Sequence, residues 1–179
     1  GTFTGSSGTV DVNGTLTLSS GTLTAPSGTL TVSGNFAHSG GTFTHNSGTV
    51  TLDGGDQTIS GTTTFNNLTK TVTAARTLTF PASETQTVAG TLTLKGTSGA
   101  LLSLRSSTAG TQWKFDPQGG TRSIEFLDVK DSNNVHATAM TTAGLNITDS
   151  GNNTGWTFGG GGSTTTTLST DTVNAAVRL

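Results

Sequence analysis

Three histidines, His38, His45 and His136, are the first candidates for chemistry, because two imidazoles with a third ligand can hold zinc. His38 and His45 stand seven residues apart across a turn and His136 lies in a distant stretch, so the spacing brings no ligand set together. They read as solvent-exposed side chains, and no metal site is expected. Asp53 and Asp56 in LDGGDQ could offer two oxygens to calcium, but the loop lacks the repeated acidic positions of calcium-binding solenoids. Plain turn chemistry explains them.

Catalysis on a polysaccharide would draw on the charged belt Lys114, Asp116, Arg122, Glu125, Asp128, Lys130 and Asp131. General acid–base work needs two carboxylates, or a carboxylate and a base, facing one cleft. Glu125 follows the inward Ile124, whereas Asp128 sits between Leu127 and Val129 on what reads as the next strand. The two carboxylates therefore face different directions, and no catalytic residue and no cofactor are expected. Trp113 and Trp156 could stack on sugar rings, yet each alternates with an aromatic, Phe115 and Phe158, as core side chains do.

Threonine supplies the most specific surface feature. Thr2 and Thr4 recur as Thr22 and Thr24, Thr42 and Thr44, then Thr62 and Thr64, which predicts two ranks of hydroxyls and methyls on one flat face. Ranks about 7 Å apart along the strand and about 4.8 Å apart between strands suit an ice-binding solenoid. Thr9, Thr29, Thr31, Thr49 and Thr51 line a second face, and threonine is also the ordinary choice for an exposed strand position.

The elements that must carry these residues follow from composition and period. Of 179 residues, 42 are threonine and 26 glycine, with no cysteine and 10% charged residues, so strands and tight turns are favoured over helices. The net charge of -2, with no Lys or Arg before Lys70, lacks the clustered basic surface that a nucleic acid or anionic membrane requires. No apolar run approaches the length of a membrane span, and no signal peptide opens the sequence, so any export signal is expected to have been removed. The sequence starts inside its own repeat, which suggests a segment of something longer.

Glycines at 1, 8, 14, 21, 28, 34, 41, 48, 54 and 61 mark a period of twenty residues, each unit holding three short alternating segments between glycine corners. Such a period indicates a solenoid. Phe3, Val10, Val12, Leu16 and Leu18 face inward, and Leu23, Leu30, Val32, Phe36, then Phe43, Val50, Leu52 and Ile59, stack on them. The corner glycines are expected to supply positive φ. After Gly61 the period loosens, with GTTTFNNLTKTVTAARTLTF read as a fourth twenty-residue coil. LDVKDSNN at 127–134 matches LNITDSGNN at 145–153, which places Asp131 and Asp149 at equivalent corners backed by asparagine ladders. Residues 1–158 are expected to form the β-helix, 159–163 a Gly-rich linker, and 164–179 a C-terminal strand. In that strand Thr172, Val173, Ala175, Val177 and Leu179 are candidates to pair with another subunit.

The run SGTLTVSGNFAHSGGTFTHNSGTVTLDGGDQTISGTTTFNNLT, with the closing GNNTGWTF, resembles the β-helical repeat regions of very large secreted bacterial surface proteins. More loosely it is similar to filamentous-haemagglutinin-type adhesins, though it lacks their N-terminal secretion or capping domain. The resemblance covers residues 1 to about 158. It implies a right-handed parallel β-helix, all-β, and a role in attachment or extracellular scaffolding, with no catalytic residues to carry over. The expected protein is a non-catalytic extracellular or cell-surface structural element, either a self-assembling fibre subunit or an adhesin stalk segment of about seven to eight coils. Its expected partners are copies of itself head to tail, adjoining repeats of a longer chain, or cell-surface polysaccharide. An ice-binding solenoid and a carbohydrate-binding or processing β-helix are the alternatives.

Overall fold

The computed structural model describes residues 1–159 and is a parallel β-solenoid, all strands and no helix among the described residues. The expected linker beyond Gly159 and the strand expected over 164–179 lie outside the described residues. The first coil comprises Thr2–Thr4, Thr9–Val12 and Leu16–Leu18, the second Thr22–Thr24, Thr29–Val32 and Phe36–His38, and the third Thr42–Thr44, Thr49–Leu52 and Gln57–Ser60. Each strand pairs in parallel with its counterpart in the next coil, twenty residues on along most of this stretch. Side chains alternate across a strand, so each inward position becomes a stack along the axis. Val10, Leu30 and Val50 form one such stack, and Leu16 and Phe36 begin another. Leu30, Val32, Phe36, Val50, Leu52 and Ile59 are all buried.

Three walls extend this pattern. A six-stranded sheet runs from Thr9–Val12 to Arg122–Glu125, and a seven-stranded sheet from Leu16–Leu18 to Thr148–Asp149. The third wall is split between a three-stranded sheet, Thr2–Thr4 to Thr42–Thr44, and a four-stranded one, Thr63–Phe65 to Ser132–Asn134. The seven-stranded sheet marks seven coils. Met140–Thr141 and Trp156–Thr157 pair in a last two-stranded sheet.

The break in the third wall corrects the reading of the fourth coil. Thr62 and Thr64 do not continue the ranks of Thr42 and Thr44, because the strand Thr63–Phe65 pairs forward with Gln86–Val88 and forms no ladder with Thr42–Thr44. Thr63 and Phe65 point inward, leaving Thr62 and Thr64 exposed. Two causes combine. The third coil spends His45, Asn46, Ser47 and Gly48 on a corner where the fourth has only Asn66, so Asn67 falls beside Thr49 after eighteen residues instead of twenty. Phe65 then gains about 2 to 3 kcal/mol by burial, packing edge-on against Phe36 at 5.3 Å and Phe43 at 6.0 Å between ring centres.

The glycine corners also divide by cause. Gly21, Gly41 and Gly61 have φ near +80°, as expected of glycine, and a β-carbon on Gly61 would meet the His38 carbonyl at 1.7 Å. At Gly28 and Gly34 φ is ordinary, and a β-carbon would instead strike the Gly8 carbonyl at 2.3 Å or the backbone at Gly14 at 2.4 Å. There glycine is required by the close stacking of coils, and positive φ is not the reason.

Candidate functional site

The histidines are scattered along the solenoid. His38 is half-buried with Nδ1 3.1 Å from the Thr63 hydroxyl, where the third wall splits. His45 Nδ1 accepts the Ser47 N–H at 3.1 Å within its own turn. His136 lies against Asp116, Nδ1 to Oδ1 3.0 Å, and the other Asp116 oxygen accepts from Gln118 at 2.9 Å. All three are half-buried and hydrogen-bonded, which corrects the reading of them as solvent-exposed side chains. Among the described residues no three metal-ligating side chains converge.

The charged belt is spread over separate walls. Glu125 sits on the six-stranded sheet beside Lys95, and Asp128 on the seven-stranded sheet beside Ser103, with Phe126 turning the corner between them at φ 52°. Asp128 forms an ion pair with Arg105 and accepts the Ser150 hydroxyl at its other oxygen. Arg122 donates to the backbone carbonyls of Pro117, Thr138 and Ala139, holding two loops together. Lys114 stands between Thr85 and Asn133 on the four-stranded sheet, and Lys130 is exposed. Trp113 is fully buried, stacked on Phe80 at 4.0 Å, while Trp156 is half-buried, stacked on Phe158 at 5.7 Å, with Nε1 donating to Ser132.

Asp131 and Asp149 are not equivalent. The register pairs Val129 with Asp149, and the Asp131 N–H donates to the Gly151 carbonyl, a step of twenty where the sequence match suggested eighteen. The corner is a mixed knot and no asparagine ladder: Asn152 Nδ2 donates to Asp131 Oδ1 at 2.7 Å, Gly110 N–H to Asp131 Oδ2 at 3.1 Å, and Asn153 Nδ2 to Asp149 at 2.6 Å. The Asn152 amide, helped by Gly110 and nearby Lys130 and Arg105, holds the Asp131 carboxyl below its ordinary value despite the opposing effect of burial. A carboxyl lowered in this way stabilises the fold above its unfolded pKa, and that contribution disappears as pH falls through its folded pKa. Asp131→Asn keeps a residue that tolerates positive φ and removes the charge. The urea midpoint of the variant should lie below wild type at neutral pH, with the gap closing in acid. A gap independent of pH would mean that the charge contributes nothing.

Lys70 is the residue the strand pattern disguised. In the strand Asn67–Thr71 it alternates with Leu68 on the inward face, and it is completely buried. Its ammonium donates to the carbonyls of Gly54 and Gly55, each at 3.0 Å, and to Gln57 Oε1 at 2.6 Å. Gln57 in turn donates to the Val32 and Gly34 carbonyls. This cluster pins the Gly54–Gln57 loop, next to a polar hollow of about 200 Å³ that reaches Asp53 and Arg76. Asp56 accepts the Thr77 N–H at 2.9 Å, a bond to the next coil and not the local turn bond expected of it. Burial pushes the Lys70 pKa down from 10.5 to about 8, although Asp56 and Asp53 pull the other way. An inward lysine between two apolar positions was the signal available in the sequence.

The threonine ranks hold over the first three coils, and Thr62 and Thr64 fall outside them. Thr2, Thr22 and Thr42 are in register, as are Thr4, Thr24 and Thr44, and the array ends there after three coils. Thr22 and Thr24 are half-buried and the other four exposed. The six-stranded sheet carries a longer array, with Thr31, Thr51, Thr69 and Thr93 in continuous register. Comparison with family models, with curated proteins and with solved structures finds no match for this chain.

Proposed function

We propose that the chain is a non-catalytic structural segment of an extracellular surface fibre or adhesin stalk, in which coils stack on further coils of a longer chain or of a second copy. The observation that carries this reading is the interior. An apolar stack runs along the solenoid, and at the first coil Phe3, Val10, Leu16, Leu18 and Leu23 line a hollow of about 450 Å³. Phe3 is 47% exposed there, although its strand pattern turns it inward. A further coil would bury that surface and continue the strand ladders, a heterologous contact that repeats without closing. On sequence grounds Thr172, Val173, Ala175, Val177 and Leu179, which lie outside the described residues, are candidates to pair with a neighbouring subunit.

The test is sedimentation and negative-stain imaging of the full chain at rising concentration. Filaments are expected, shortened by Phe3→Asp and by deletion of residues 163–179 with β-sheet circular dichroism unchanged. A chain that stays monomeric at every concentration, or filaments indifferent to both changes, would sink the self-assembly reading.

A further inference from the structure

The outward side chains of the six-stranded sheet form a two-dimensional lattice. In four consecutive coils one rank holds Thr29, Thr49, Asn67 and Thr91, and the next holds Thr31, Thr51, Thr69 and Thr93. Sheet geometry sets the spacing at about 4.8 Å between coils and about 6.6 Å between ranks. All eight residues are half-buried, whereas the ends of the three-stranded face, Thr2, Thr4, Thr42 and Thr44, stand exposed. Partial burial and β-branching restrict χ1 at the seven threonines. Their hydroxyls and methyls are thereby confined to few positions.

The one position that is not threonine preserves the rank. Asn67 Nδ2 donates to the Thr49 hydroxyl at 3.3 Å, and its Oδ1 accepts the Thr91 N–H at 2.7 Å, so the amide spans both neighbours. Among the described residues Thr49 has the only hydroxyl of the lattice engaged by another protein group, which leaves the others to water. No charged side chain falls inside the lattice; Asp11 flanks it one coil above Thr31, and Lys95 lies beside Thr93's rank.

This surface lacks the features that recognise a single small ligand, which are a concavity and a few convergent polar groups. It lacks an aromatic face on which a sugar ring would stack. An in-register array of hydroxyls and methyls repeating in two directions is complementary to a partner that repeats in the same two directions. The coil spacing of about 4.8 Å lies close to an oxygen repeat of ice, so hydroxyl-anchored waters can merge with the crystal. We propose that the six-stranded face is an ice-binding plane centred on Thr51 and Thr69, a reading independent of the fibre proposal.

The experiment measures uptake of the full chain into slowly growing ice, together with crystal shape in supercooled droplets. Wild type should concentrate in the ice and facet it. Thr51→Tyr with Thr69→Tyr should lose both effects, since a bulky ring lifts the plane off the crystal. Thr4→Tyr with Thr44→Tyr, on the three-stranded face, should keep them. Circular dichroism and urea midpoints check folding, and Thr51→Lys, whose ammonium remains in solvent, replaces the tyrosine pair if that pair folds poorly. Exclusion of wild type from ice as an ordinary solute overturns the proposal. So does loss of activity in the Thr4 and Thr44 variant with retention in the Thr51 and Thr69 variant, or binding to crystalline cellulose or chitin without any effect on ice.

Discussion

Val50→Asp is expected to cost roughly 3 to 5 kcal/mol and to unfold the first coils, while Thr51→Lys, one residue away, should change stability by about 0.5 kcal/mol or less. Val50 is 2% exposed and stacked between Leu30 above and Leu68 below. A carboxylate placed there meets apolar neighbours on both sides and no donor, so its lost hydration is uncompensated. Thr51 points outward between Thr31 and Thr69, where a lysine head remains in water. Leu30 is a weaker choice because it also floors the hollow at the first coil. Each coil rests on its neighbours, so damage in the third should spread to the first and second. Urea unfolding followed by circular dichroism separates the two variants. Equal midpoints would show that the assignment of strand faces is mistaken.

Lys70 should give this protein an unusual alkaline stability profile. The unfolded chain keeps the lysine proton until about pH 10.5, whereas the folded chain releases it near pH 8. Between those values the unfolded state binds more protons, so stability rises with pH across this window and levels off above it. The gain is on the order of 3 kcal/mol. Lys70→Met should remove that rise, because the variant has no proton to release at this site. At neutral pH it should also be less stable by about 1 to 3 kcal/mol, since the Gly54 and Gly55 carbonyls and Gln57 Oε1 lose their shared donor. The measurement is the difference in unfolding free energy between wild type and variant from pH 7 to 11, which cancels titrations common to both. A difference that stays flat with pH would mean that Lys70 is not desolvated as its burial implies.

Period and alternation alone determined the architecture. Twenty-residue spacing places Val10, Leu30 and Val50 at one inward position, and the apolar-polar alternation of each segment sets which side faces the axis. These are local signals, repeated, and each coil adds the same pattern to the same wall. Trp113 as core was legible for the same reason, as was the separation of Glu125 from Asp128.

Only the tertiary structure decided what happens where the repeat changes length. Whether Thr63 or Thr64 faces inward depends on the shortened corner and on the space that Phe36 and Phe43 leave for Phe65, neither of which a periodic reading of one coil contains. Asp131 is opposite Gly151 because strand pairing at Val129 and Asp149 sets the register, and local resemblance between two short runs does not. The same holds for the longest threonine lattice. Thr51, Thr69 and Thr93 are separated by eighteen and twenty-four residues, so no fixed period reveals them, yet the parallel ladder brings them to successive positions of one rank. Residue type and alternation are properties of a segment, but register is settled by how corners of unequal length let the walls close, and that belongs to the whole coil.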